Sequence, residues 1–225
     1  MQCAIVELRQ YTLHPGRRDE LIELFEREFL ETQEAVGMTL LGQFRDVGQS
    51  DRFVWLRGFA DMESRAASLA AFYDGPVWAA HRTAANATML DSDDVLLLRP
   101  AREGSGLETS SGEPFPNGAP GQPHRIYLAG VHSLSEPARE ADIARIDASI
   151  SPACDAAGGA ILAWYVSEAR PNTYPRLPVR EGENVVVWFA AFADGASSDA
   201  FRRAQRRGDD AQLLRLEPTK RSRLR

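Results

Sequence analysis

Two distant stretches of this chain are versions of one another. Val54-Trp55-Leu56-Arg57-Gly58-Phe59-Ala60-Asp61 returns as Val187-Trp188-Phe189-Ala190-Ala191-Phe192-Ala193-Asp194, identical at five of the eight positions. In the same frame Leu98-Arg99-Pro100 lines up with Leu216-Glu217-Pro218. Agreement at two separate places argues for two copies of one unit rather than a chance likeness between strands. A chain of 225 residues, 44% of them hydrophobic, has enough apolar material for one large core or two small ones.

The elements of the first copy follow from periodicity. Between Ala4 and Leu13, Val6 and Leu8 alternate with Glu7, Arg9 and Tyr11, the pattern of a half-buried strand. On that alternation Val6 and Leu8 are expected to face the helices, and Glu7, Arg9 and Tyr11 to face away from them. A turn at His14-Pro15-Gly16 leads to Leu21, Ile22, Leu24, Phe25 and Phe29 at helical spacing, with Gly37 as the stop. Thr39 to Arg45 and Arg52 to Phe59 read as a hairpin. Asp61 reads as the N-cap of a helix through Leu69 and Phe72, a further helix follows Gly75-Pro76, and Val95 to Leu98 form a closing strand.

Residues 101–123 are rich in Gly, Ser, Pro and Glu and predict a flexible linker. The pattern then restarts: a strand at Arg125 to Val131, a helix carrying Ile143, Ile146 and Ile150, a strand at Ala160 to Val166, a long loop, a strand at Asn184 to Phe192, and a last helix and strand. The expectation is an α+β chain of two βαββαβ units, residues 1–100 and 124–225, each an antiparallel sheet with helices on one face. The bare face of each sheet needs a cover. The other copy can supply it, enclosing a barrel-like space within one chain or between chains.

The formal charge of -6 argues against a nucleic-acid partner. No apolar run long enough to span a membrane and no leader-like start is visible, which predicts a cytoplasmic protein without a membrane partner. Cys3 and Cys154 have no neighbours at metal-ligand spacing and read as reduced thiols, so no metal is expected. No cofactor is expected either. Gly104-Ser105-Gly106 lies in the linker rather than between a strand and a helix, and His14 or His81 as a haem ligand has no supporting motif. The basic run Lys220 to Arg225 reads as a solvated terminus.

Three differences between the copies point to a site in the first. Glu7, Arg9 and Tyr11 share a strand face, as do Trp55, Arg57 and Phe59, and Ala190 stands where the first copy has Arg57. Arginines facing an enclosed space need a carboxylate or an anionic ligand. Pairing with Glu7 to fix the sheet, and a free arginine holding a carboxylate or enolate-like oxygen, both fit. Next, an insertion of roughly Gly75 to Met89 places Trp78, His81, Arg82 and Ala85 on one helical face, with Asn86 nearby. His81 there is a candidate acid or base, or simply part of the packing. Finally, the proline-rich loop from Arg170 to Glu183 offers Tyr174, Arg176 and Arg180 either to the site or to a subunit contact.

Glu7-Leu8-Arg9-Gln10-Tyr11-Thr12-Leu13-His14-Pro15-Gly16, Gly75-Pro76-Val77-Trp78 with His81 and Arg82, Asn86-Ala87-Thr88-Met89, and Asn172 to Glu181 together resemble the NIPSNAP family, in its bacterial two-repeat form. That resemblance implies the dimeric α/β-barrel architecture, built of tandem ferredoxin-like repeats. It implies little about activity.

The working expectation is a cofactor-independent small-molecule enzyme of isomerase, cyclase, decarboxylase or monooxygenase type, or a binder of the same ligand. His81, Tyr11 and Glu7 would be the catalytic groups. Arg9, Arg57, Trp55, Trp78, Asn86, Tyr174, Arg176 and Arg180 would hold an apolar metabolite with an acidic or enolisable oxygen. The alternative is a non-catalytic assembly barrel. A homodimer or higher homo-oligomer fits either. A cavity lined by Glu7, Arg9 and His81 would favour the first reading, and a filled barrel the second.

Overall fold

A computed structural model describes residues 3–108, 125–205 and 211–224. Its eight strands are β1 (Ile5–Leu13), β2 (Thr39–Asp46), β3 (Arg52–Phe59), β4 (Met89–Pro100), β5 (Ile126–Ser133), β6 (Ala160–Ser167), β7 (Val185–Phe192) and β8 (Gln212–Pro218). They close an antiparallel barrel in the order β1-β3-β2-β8-β5-β7-β6-β4, all from this one chain. Each half contributes a contiguous block of four strands in the same relative order. The two seams are short: β2 meets β8 from Phe44↔Pro218 to Asp46↔Leu216, and β4 meets β6 from Leu98↔Ser167 to Pro100↔Tyr165.

Helices cover the outside. Around the first half run α1 (Arg18–Leu24), a π-helical turn (Phe25–Phe29), α2 (Leu30–Glu34), α3 (Met62–Tyr73) and α4 (Pro76–Asn86). The second half carries α5 (Glu140–Ala156) and α6 (Gly195–Gln205). Local chemistry sets the ends of these helices. Gly37 adopts φ 93 just beyond α2, a left-handed conformation that suits glycine. Asp61 caps α3 in a reciprocal capping box with Ser64. No described helix is long and apolar enough to cross a membrane.

Three apolar layers result. The barrel interior is filled by Val6, Leu8, Val54, Leu56, Leu96 and Leu98 of the first half against Tyr127, Ala129, Val187, Phe189 and Leu214 of the second. An eight-stranded barrel is just wide enough for side chains to fill. Outside it, one layer lies under α1 to α4 and another under α5 and α6.

This arrangement corrects the expected orientation of β1. Val6 and Leu8 point into the barrel, and Glu7, Arg9 and Tyr11 point outward beneath the helices. The reason is that both faces of β1 are buried, from Ile5 at 0% exposure through Glu7 at 0% to Arg9 at 1%. Alternation then separates two interiors rather than inside from outside. The parity itself holds, because Glu7 faces Arg57 and Arg9 faces Trp55 across the β1–β3 ladder.

Three smaller readings also change. β4 begins at Met89, well before Val95. Of the segment 101–123, residues 101–108 are described, with Leu107 buried and its N–H donating to the Tyr165 hydroxyl at 2.8 Å; residues 109–123 lie outside the described residues. The basic tail is held rather than solvated: Arg221 pairs with Glu31, Arg223 pairs with Glu34, and the Ser222 hydroxyl accepts from the Gln43 N–H at 3.1 Å.

The second half depends on one close approach. A Cβ on Gly130 would stand 2.3 Å from the Trp188 indole, whose N–H donates to His132 Nε2 at 2.9 Å. Gly130→Ala should therefore destabilise the protein by about 1–3 kcal/mol through overpacking, read as a lower urea midpoint at unchanged slope.

Candidate active site

The polar cluster begins with adjacent strands. β1 and β3 pair so that Glu7 sits opposite Arg57, and both side chains rise into the layer beneath the helices. Arg65 joins them from α3. Met62, Arg65, Leu69 and Phe72 are all buried at helical spacing, so the face α3 turns to the sheet carries a guanidinium among apolar groups.

Glu7 is the hub. One carboxylate oxygen accepts from Arg9 Nη1 and from Arg57 Nε, each at 2.7 Å, and the other accepts from Arg65 Nε at 2.7 Å. Arg9 also donates through Nε to the Tyr11 hydroxyl at 3.0 Å. Arg57 Nη1 donates to Gln33 Oε1 at 3.1 Å, and the Tyr73 hydroxyl lies 3.5 Å from it. Trp55 lies between Arg9 and Arg57, its ring centre 5.4 and 5.1 Å from their guanidinium carbons. Arg65 Nη1 reaches the second half, donating to Asn172 Oδ1 at 3.0 Å and Thr173 Oγ1 at 3.2 Å.

The charges do not balance. Among the described residues Glu7 is the one carboxylate paired with Arg9, Arg57 or Arg65, so the buried cluster carries three positive charges against one negative. Burial alone would push the Glu7 carboxyl up, but Arg57, Arg9 and Arg65 together reverse this and hold it well below the usual carboxylate range. Burial raises the Tyr11 phenol, so Tyr11 remains a neutral donor. Several buried donors also lack acceptors: Arg57 Nη2, the Trp55 indole N–H and the Tyr174 hydroxyl have no partner, and Arg65 Nη2, though 2.7 Å from Glu7, is off the hydrogen-bonding direction.

The remaining sequence candidates divide. Tyr174 is brought in, buried and stacked on Tyr73 with ring centres 6.1 Å apart. Trp78 packs on Tyr73, Phe72 and Phe29 and walls the layer. His81 is not joined to the arginines. It lies half-buried, with Nε2 3.5 Å from Glu28 and its ring against Phe29, because α4 turns that position toward the π-helical turn rather than toward the sheet. Asn86 is exposed at the end of α4. Arg176 pairs with Asp74 at the surface, and Arg180 pairs with Asp94 and Glu183. A cleft of about 410 Å³ is lined by Leu97, Arg99, Glu168, Arg180 and Asn184, among others, but by none of Glu7, Arg9 and His81. Among the described residues no group of His, Cys, Asp or Glu gathers as a metal set would.

Arg65, Gln33, Tyr73, Asn172 and Thr173 escaped the sequence reading. Only Arg65 left a usable signal, as the cation on the apolar face of an amphipathic helix.

Glu7→Gln should cost about 3–5 kcal/mol of stability, because it leaves buried cations without their counter-charge. The depressed carboxyl fixes the sign of the pH dependence. The stability gap between wild type and variant should be full above roughly pH 5 and close as pH falls below the ordinary glutamate value of about 4.3, as measured by chemical denaturation from pH 7 to 3.

Comparison with known proteins bears on the fold and on the family. No curated protein sequence matches the chain. Solved structures that match it over nearly its whole length include a provisionally assigned monooxygenase from Lactobacillus acidophilus (12% identity, 98% of each chain, TM-score 0.53) and an anthrone oxidase-like protein (14% identity, 97% of this chain and 92% of that one, TM-score 0.53). At such identities they show a shared α/β-barrel fold and no more. An uncharacterized NIPSNAP-like domain protein from Burkholderia xenovorans is 30% identical over 50% of this chain and 90% of its own, with a TM-score of 0.39. Residues 6–102, which hold Glu7, Arg9, Arg57 and Arg65, match the NIPSNAP profile, and the chain belongs to the NIPSNAP family.

Proposed function

We propose that the chain is a tandem duplication in which the first half binds a small organic oxyanion with an apolar body, in the layer between sheet and helices. The observation that carries the binding reading is the buried charge excess around Glu7, together with the acceptor-less Nη2 atoms of Arg65 and Arg57 and the indole N–H of Trp55. Uncompensated buried charge costs several kcal/mol, and a bound carboxylate, phenolate or enolate offsets that cost. Trp78, Tyr73 and Phe72 supply the apolar wall.

The duplication is supported by register. Glu7 faces Arg57 as Leu128 faces Ala190, and Arg9 faces Trp55 as Gly130 faces Trp188. Both halves also place a bulge at the matching point, between Leu40 and Gly42 in β2 and between Ile161 and Ala163 in β6. Residues 1–100 and 124–225 are then the two copies.

Such a site can do chemistry without a cofactor. Guanidiniums hold an enolate or phenolate that arrives already ionised, and Tyr11, whose oxygen accepts from Arg9, gives its proton to the bound anion and regains one from solvent on product release. Protonation of a bound enolate is the simplest outcome. Oxygenation of an electron-rich enolate by dioxygen, with the substrate supplying the electrons and the second oxygen atom leaving as water, is a second use, the reaction type for which the Lactobacillus acidophilus neighbour is named. His81, held at Glu28, has no part in this step.

The apolar filling of the barrel interior favours a competing reading, in which the cluster only fastens helices to sheet in a non-catalytic assembly barrel. Benzoate separates the two. If the site binds oxyanions, saturating benzoate should raise the thermal midpoint of the wild type, since ligand at 100 times Kd adds about 2.7 kcal/mol. Arg57→Met should weaken binding by about 10- to 100-fold, the value of a hydrogen bond to a charged group. No response of the wild type to benzoate would leave the assembly reading.

A further inference from the structure

We infer that the loop between β6 and β7 seats its own oxygens beside Arg65 where the ligand's oxyanion belongs, making the second half a displaceable lid on the first half's site; this rests on the binding function proposed above. Two side-chain oxygens, Asn172 Oδ1 and Thr173 Oγ1, lie 3.0 and 3.2 Å from Arg65 Nη1. Arg65 Nη1 thus donates to two loop oxygens where a carboxylate would bring an anionic one. They are neutral, however, so they satisfy the direction of the donor and leave the excess charge of the cluster in place.

The loop is stitched mainly to itself at this point. Asn172 Nδ2 donates to the Leu177 carbonyl at 2.9 Å, Asn172 Oδ1 accepts from the Tyr174 N–H at 3.0 Å, and the Asn172 N–H donates to Glu181 at 3.1 Å. Residues 172–181 can therefore move as a unit. The loop's attachments to the first half are the Arg65 contacts, the Thr173 hydroxyl donating to the Met62 carbonyl at 3.1 Å, the Tyr174 ring stacked on Tyr73 with Leu177 packed beside it, and, at the far end of the loop where it would act as the hinge, the Arg180 N–H donating to the Val95 carbonyl at 2.9 Å. The Tyr174 hydroxyl has no hydrogen-bond partner in the first half, its polar neighbour being Arg176 of the same loop, so withdrawing it from the layer breaks no hydrogen bond to the first half. The other side-chain ties, Arg176 to Asp74 and Arg180 to Asp94, are at the surface and worth little.

Charge decides the competition. The loop's bonds already have a charged donor, so what an incoming carboxylate adds is its negative charge, set in a buried cluster with an excess of positive charge. An incoming carboxylate takes Arg65 Nη1 from the loop and also reaches the off-direction Nη2. Opening the loop uncovers Tyr73, which Tyr174 covers and which with Trp78 walls the ligand's apolar body.

The test uses the full chain, with benzoate as probe, calorimetric titration, and amide hydrogen exchange across residues 168–184. Thr173→Val removes a surrogate oxygen and should tighten benzoate binding about fivefold, the worth of one neutral hydrogen bond. Thr173→Ser should restore wild-type affinity. Asn172→Asp makes the surrogate anionic and should weaken binding at least about tenfold. In the wild type, benzoate should speed exchange in 168–184. Equal affinities in all variants, weaker binding by Thr173→Val, or slower exchange in the loop would overturn the lid and leave the anion site standing. Failure of both wild type and Thr173→Val to bind benzoate would remove the site itself, and the lid with it.

Discussion

The Glu7 carboxylate, shared by three buried guanidiniums, ties this molecule together. It joins two neighbouring strands, β1 and β3, to helix α3 through contacts of 2.7 Å. Through Arg57 it reaches Gln33 in α2, and through Arg65 it reaches the β6–β7 loop of the second half. The helices above this layer are thus placed by charge as well as by apolar packing. Such a network is a weak source of net stability, since desolvating its members costs about as much as their attraction returns. Its consequence is specificity: Glu7 is satisfied only when α3 and the β1–β3 pair are set as they are, with α2 placed over Arg57.

The second half keeps the same strand register with different chemistry. Where the first half has Glu7, Arg9 and Arg57, the second has Leu128, Gly130 and Ala190, and the space that Arg9 would need is crossed by the Trp188 indole on its way to His132. That layer is packed as an apolar core under α5 and α6. In exchange, the second half contributes to the first. Its loop delivers Asn172, Thr173 and Tyr174 to the cluster, and the tail after β8 holds the first half's helix through Arg221 and Arg223. On the proposed duplication, one copy keeps the polar site and the other supplies its cover.

The π-helical turn fits this division. It lies between α1 and α2 and carries Phe25 and Phe29, which pack on Trp55 and Trp78 at the edge of the cluster. One turn further on, the Gln33 side chain donates to the Phe29 carbonyl at 3.1 Å and accepts from Arg57. A widened turn shifts the helical phase of α2, and that phase brings Gln33 over Arg57. The tail residue Arg221 donates its N–H to Glu26 within this same turn at 2.7 Å.

Sequence alone determined the element order, the cap at Asp61, the stop at Gly37, the shared face of Glu7, Arg9, Trp55 and Arg57, and the likeness to NIPSNAP proteins. These are local matters, settled by period, by capping chemistry and by residues close in the chain. The tertiary structure decided which buried face of β1 looks into the barrel, because on a strand covered on both sides the polar face marks a buried cluster and not the solvent. It also decided which cations meet Glu7. Arg65 is 58 positions away and Asn172 a further 107 from Arg65, so no spacing rule joins them. The place of His81 was open for the same reason: helical period gave its neighbours on α4, but only the rotation of α4 on the sheet sent the imidazole to Glu28. Long-range closure of the barrel, where the halves meet only at two short seams, fixes all three outcomes at once.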